Sequence, residues 1–64
     1  MKYRYMIFAK PRRHKVKISR QRWDNGWQTE ETLPFPYFEA AAMWAEKDAA
    51  IRLIDNYIIT SRKV

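Results

Sequence analysis

The sequence predicts an α+β fold: an antiparallel sheet in β-β-β-α-β order with one helix packed on one face. Three observations carry that expectation. Residues 2–9 and 15–23 alternate in side-chain character with period two, as strands do. Asp24-Asn25-Gly26 stands between two tryptophans as a turn signal. From Tyr37 onward the period changes to that of a helix. The chain has 64 residues, so residues 1–64 are expected to form one small domain. A domain of this size hides only about 60% of the surface its unfolded chain exposes. It contains no Cys, which rules out a disulfide or a thiolate metal site as a staple. Three Trp, four Tyr and three Phe must supply the core instead.

The first strand is KYRYMIFA, residues 2–9. Tyr3, Tyr5 and Ile7 lie on one face, and Lys2, Arg4, Met6 and Phe8 on the other. Pro11 lacks a ladder donor and ends it. The second strand is KVKISRQRW, residues 15–23, with Val16 and Ile18 opposite Lys15 and Lys17. The two form a hairpin with Pro11 to His14 at its tip. Two registers are open for the next turn. A type I turn with Gly26 as a bulge places Trp23 across from Trp27 and Arg20 opposite Glu30. A two-residue Asn25-Gly26 loop places Arg20 opposite Glu31 and Ile18 opposite Leu33. Either gives a cross-strand charge pair worth about 0.2–1 kcal/mol. The third strand is expected to run to about Leu33, where Pro34 and Pro36 stop it.

In the helix, Phe38, Ala42, Ala45, Ala49 and Leu53 form the expected inner stripe. Its alanines let the backbone approach the sheet closely. Pro36 suits the first turn, Glu39 the positive end of the dipole, and Asn56 a left-handed C-terminal position. Trp44 lies off the stripe and is expected to pack over a sheet edge, or else to anchor a protein partner. Residues 57–62, YIITSR, read as a short final strand.

The chemistry for catalysis is missing. One His (His14), no Cys and one Gly leave no oriented nucleophile, no zinc ligand set and no glycine-rich phosphate loop. Glu30 and Glu31 are sequence neighbours expected to point to opposite faces of a strand, so they are not a paired acid and base. The sequence therefore points to a non-enzyme without a cofactor. No segment approaches the roughly 20 apolar residues of a membrane span, and MKYRYMIFAK has no apolar signal core. Cytoplasmic location is the expectation, with no membrane partner.

Charge is the informative feature. Nine cations precede the first anion: Lys2, Arg4, Lys10, Arg12, Arg13, Lys15, Lys17, Arg20 and Arg22. Residues 24–64 hold four cations and all seven acids. Ordinary solvated faces mix both signs, whereas a one-signed stripe is the footprint of a polyanion site. The first functional reading is a small nucleic-acid-binding protein, for DNA or RNA. Lys10, Arg12, Arg13, Lys15, Lys17, Arg20 and Arg22 would grip phosphates, and Trp23 and Trp27 would stack on a base or cover the core. The architecture of a three-stranded sheet backed by a helix is similar to that of the arm-binding domains of phage and transposon integrases, which lay the sheet in the major groove; the final strand departs from that plan. The alternative is a phage- or prophage-type accessory protein that binds an acidic host protein surface, with Trp44, Phe35 and Tyr37 as anchors. The terminal strand also offers an edge for homodimer pairing.

Overall fold

In the computed structural model, which describes residues 2–64, five elements follow one another: β1 (Tyr3–Ala9), β2 (Val16–Trp23), β3 (Trp27–Phe35), α1 (Phe38–Ile51) and β4 (Tyr57–Lys63). They make a four-stranded sheet in the order β3-β2-β1-β4, with α1 on one face.

The sheet is mixed, not wholly antiparallel as the sequence suggested. β1–β2 and β2–β3 pair antiparallel, but β4 pairs parallel to β1. The reason is parity. Two hairpins leave β3 running in the direction of β1, and the helix carries the chain back to its starting end. The next strand must then run the same way as both outer strands, so pairing at either edge is parallel.

The period-two pattern sorts the sheet into two faces. Tyr5 and Ile7 of β1 and Val16 and Ile18 of β2 are buried beneath Ala41, Ala45 and Ala49 of α1. Tyr5, Ile7 and Ile18 are the largest fully buried side chains, each worth about 1.5–3 kcal/mol. Trp44 packs edge-on against Tyr5 and tilted against Phe35 of the edge strand, with ring centroids 5.9 Å apart in both pairs. It therefore closes the rim of the core. Tyr57 meets Tyr5 from the other side, edge-on at 5.7 Å.

The helix keeps the middle of the expected stripe, with Ala45 and Ala49 buried and Ala42 against the core, but not its ends, Phe38 and Leu53. Ala41, Ala45, Asp48 and Ala49 are buried, while Phe38 is exposed. The run Ala40-Ala41-Ala42 carries no local preference for a face, so tertiary partners decide it. The helix also ends earlier than Asn56. Leu53 takes the left-handed conformation, φ 58°, and Ile54 N–H reaches back to the Ala49 carbonyl at 2.8 Å. With Leu53 N–H on the Ala50 carbonyl at 3.2 Å, this is a Schellman closure with leucine where glycine is usual. The closure turns Ile54 against the core, while Leu53 itself points to solvent. Asn56 instead accepts the Tyr3 N–H at 3.1 Å, where β4 joins β1.

Pro34 does not stop the third strand, which runs on to Phe35. β3 lies at the edge of the sheet, where a missing N–H is tolerated.

Candidate nucleic-acid interface

The two registers read from the turn are both present, one on each side of a bulge. Near the turn, Trp23 faces Trp27 and Gln21 faces Thr29; beyond the shift at Arg20/Gln21, Arg20 faces Glu31 and Ile18 faces Leu33. Glu30 is the extra residue between Thr29 and Glu31. Because of it, Glu30 and Glu31 do not diverge to opposite faces. Both carboxylates meet Arg20, Glu30 on Nε at 3.0 Å and Glu31 on Nη1 at 3.1 Å.

Arg20 is consequently withdrawn from any interface. It is 5% exposed, and its Nη1 also meets Asp48 Oδ2 at 3.0 Å under the helix. Tyr5 donates its hydroxyl to the same Oδ2 at 2.7 Å, and Arg52 donates to Oδ1 at 2.9 Å. Burial alone would raise the Asp48 carboxyl; the hydrogen bonds from Tyr5, Arg52 and Arg20 and the Arg20 charge outweigh it and hold the carboxyl below its ordinary value. Burial, then the hydrogen bond to Asp48 and its negative charge, push the Tyr5 phenol well up. Arg22 is held by Glu30 at 3.2 Å and Asp24 at 3.8 Å. Both residues read from the sequence as phosphate contacts thus belong to a cluster of three arginines (Arg20, Arg22 and Arg52) and four acids (Asp24, Glu30, Glu31 and Asp48).

The cations around the hairpin tip stay outside. Lys10, Arg12, Arg13, Lys15 and Lys17 are all exposed. The parallel register brings Arg62 level with Phe8 and Lys63 level with Ala9 at the same end of the sheet. Seven cations therefore crowd one end of the molecule: Lys10, Arg12, Arg13, Lys15, Lys17, Arg62 and Lys63. Among the described residues none of the seven forms an ion pair with an acid. Arg62 and Lys63 escaped sequence reasoning because they sit in the acid-rich part of the chain. A parallel fourth strand, which parity required, would have found them.

The sheet face away from α1 carries the remaining signal. Register assigns to it Arg4, Met6 and Phe8 of β1; Lys17, Ser19, Gln21 and Trp23 of β2; Trp27, Thr29, Thr32 and Pro34 of β3; and Ile58, Thr60 and Arg62 of β4. No acid is among them. Around the buried Met6 its middle is polar and bonded sideways. Arg4 Nε donates to Gln21 Oε1 at 2.6 Å, Gln21 Nε2 to Thr29 Oγ1 at 3.0 Å, and the Ser19 and Thr32 hydroxyls meet at 2.8 Å. Aromatic rings stand at both ends. At one, Trp23 and Trp27 meet edge-on at 5.2 Å, and the Arg4 guanidinium lies 4.3 Å from the Trp27 ring centre. At the other, Phe8 and Pro34 line a cavity of about 430 Å³ ringed by Lys10, Arg13, Lys15 and Lys17. Among the described residues, no helix is long and apolar enough to cross a membrane.

No protein-family model matches this chain, and no curated protein or solved structure matches it either.

Proposed function

We propose that the chain is a non-catalytic nucleic-acid-binding protein that grips phosphates through the basic end of its sheet. One observation carries this reading: seven cations without acid partners share one end of the molecule, next to a sheet face that bears no carboxylate. The internal cluster sharpens the field, because four of the seven acids are spent on three arginines inside or beside the fold. The residues that would touch phosphate are Lys10, Arg12, Arg13, Lys15 and Lys17, joined by Arg62 and Lys63. Arg20 and Arg22 act as scaffold. The rival reading, docking on an acidic protein, takes Trp44, Phe35 and Tyr37 as anchors; Trp44 is engaged with Tyr5 and Phe35, which leaves only Tyr37 of the three exposed.

The test is a titration against labelled duplex DNA, single-stranded DNA and duplex RNA at about 50 and 200 mM salt. Seven phosphate contacts should cost about a thousandfold in affinity across that range. Arg12→Ala/Arg13→Ala should reduce the slope of log K on log salt by roughly 1.5 and leave the fold intact. Absence of binding to all three at the lower salt would sink the proposal.

A further inference from the structure

The uncovered sheet face narrows the kind of nucleic acid. A two-stranded ribbon can enter the major groove of a duplex, which is about 12 Å wide. The basic hairpin is not a free ribbon. β4 pairs with β1 as far as Ala9–Lys63, and β3 pairs with β2 as far as Val16–Phe35, so the ladder is four strands wide up to the last residue of β1. Four strands span about 14 Å between outer backbones before side chains are added. Only residues 10–15 project beyond the sheet.

The face itself is built for unpaired bases. Trp27 is occupied, with Arg4 at 4.3 Å and the Lys2 ammonium at 5.9 Å from its ring centre. That fixes Trp27 in place and leaves its neighbour Trp23 49% exposed at the edge of the face. At the far end, Phe8 is part-exposed in the floor of the cationic cavity. Between them Met6, Ser19 and Gln21 are buried among their neighbours and Arg4 is bonded laterally, which leaves a path of about 20 Å along β1 from Lys2 to Phe8. Paired bases in a duplex cannot reach these rings, because their faces are covered by their neighbours. Cations alone would bind either form.

Resting on the nucleic-acid reading above, we infer that the ligand is a single-stranded nucleic acid laid across the uncovered face, with bases stacked on Phe8 and Trp23 and phosphates on Lys17, Arg62 and the hairpin cations. Every base has a stacking face, so such a track tolerates sequence. Charge complementarity commits the face to this occupant: three of its side chains (Arg4, Lys17 and Arg62) are cationic, Lys2 stands beside them, and no side chain of the face is acidic; Asp24 and Glu30 at its margin are paired with Arg22.

The experiment compares four probes of about twelve nucleotides at one salt concentration: oligothymidylate, oligouridylate, an abasic strand of equal charge, and a blunt duplex. The base-bearing strands are expected to bind about tenfold more tightly than the abasic strand and the duplex. Phe8→Leu and Trp23→Leu should each remove much of that advantage while leaving abasic binding unchanged. Trp23 is half exposed, so its variant keeps the test open if Phe8→Leu unfolds, which far-ultraviolet circular dichroism would show. A preference for one of the two base-bearing strands tells DNA from RNA and supports the inference either way. Equal binding of base-bearing and abasic strands, or preference for the duplex, would overturn the stacking inference and leave phosphate binding standing. No binding to any probe would remove both.

Discussion

Two pairs of arginines lie within eleven residues of each other and meet opposite fates. Arg12 and Arg13 stand exposed at the hairpin tip and make no ion pair among the described residues, although Glu39 lines a shallow pocket with Arg13 and His14. Arg20 and Arg22, further along the same hairpin, are drawn into carboxylates from β3, the turn and α1. Residue type does not separate them. What does is whether the rest of the chain brings carboxylates within ion-pair distance, as it does at Arg20 and does not at the tip, where Glu39 is near but unpaired. The helix crosses with Asp48 over Arg20, and the bulge at Glu30 folds two carboxylates onto the same guanidinium. Neither device reaches the other end. A desolvated cation with three carboxylates is a structural part; a solvated one with none is free to meet a phosphate.

The strongest way to break this division is to remove the acid at its centre. Asp48→Ala leaves Arg20 buried without its partner beneath the helix and orphans the Tyr5 hydroxyl. Arg20 keeps Glu30 and Glu31, so the expected loss in urea unfolding is about 3 kcal/mol, the scale for leaving buried donors, one of them charged, without an acceptor. That is a large share of the stability a core of this size supplies. Asp48→Asn keeps an acceptor for Tyr5 and should lose less. If Asp48→Ala unfolds at the same urea midpoint as the parent, the cluster is not structural.

A milder change reads the same cluster through pH. Asp48 titrates below its ordinary value in the fold, so its contribution is present above the unfolded pKa of about 3.9 and disappears as pH falls through the lower folded value. Tyr5 titrates above its ordinary value of about 10, so its contribution is full below that pH and is lost as pH rises further. Stability should therefore be flat between about pH 5 and 9 as far as these two groups are concerned, with a fall on each side. Tyr5→Phe removes a hydrogen bond to a charged group, worth about 1.5–3 kcal/mol. It should also abolish the alkaline fall due to that phenol and shrink the acid fall, because Asp48 loses its closest donor and its folded value rises toward the unfolded one. Thermal melts across that range check both signs.

Much of the scaffold was legible in the sequence, and for identifiable reasons. Alternation placed β1 and β2, and Asn25-Gly26 marked the turn where both residues do take positive φ. The alternating pattern also put Phe8, Arg4 and Lys17 on the outer face. The parallel pairing of β4 could have been reached by counting directions. Other features had no local signal. A bulge at Glu30 depends on two glutamates finding Arg20, and the burial of Arg20 depends on Asp48, 28 residues further on. Three successive alanines left the helix rotation to be settled by those same contacts. For the candidate interface, the tip cations could be read directly, whereas Arg62 and Lys63 joined them only through the sheet topology.

The smallest predicted change falls on the exposed side of the comparison. Arg12 holds φ at 63°, the left-handed region that favours glycine. A non-glycine residue there gives up about 1 kcal/mol or somewhat more, and Arg12 makes no ion pair within the chain to offset it. Glycine at this position relieves the backbone but widens the unfolded ensemble, which returns part of the gain. Arg12→Gly is therefore expected to raise stability by a few tenths of a kcal/mol, roughly 0.5, and to weaken binding to a base-bearing strand several-fold at about 50 mM salt. At the buried end of the same hairpin, no arginine should behave this way, because there charge and stability are held together. A rise in stability with no loss of affinity would place Arg12 outside the phosphate grip and leave its conformation as turn geometry alone. A rise in stability with a loss of affinity would show the tip keeping a strained cation for what it touches outside the chain.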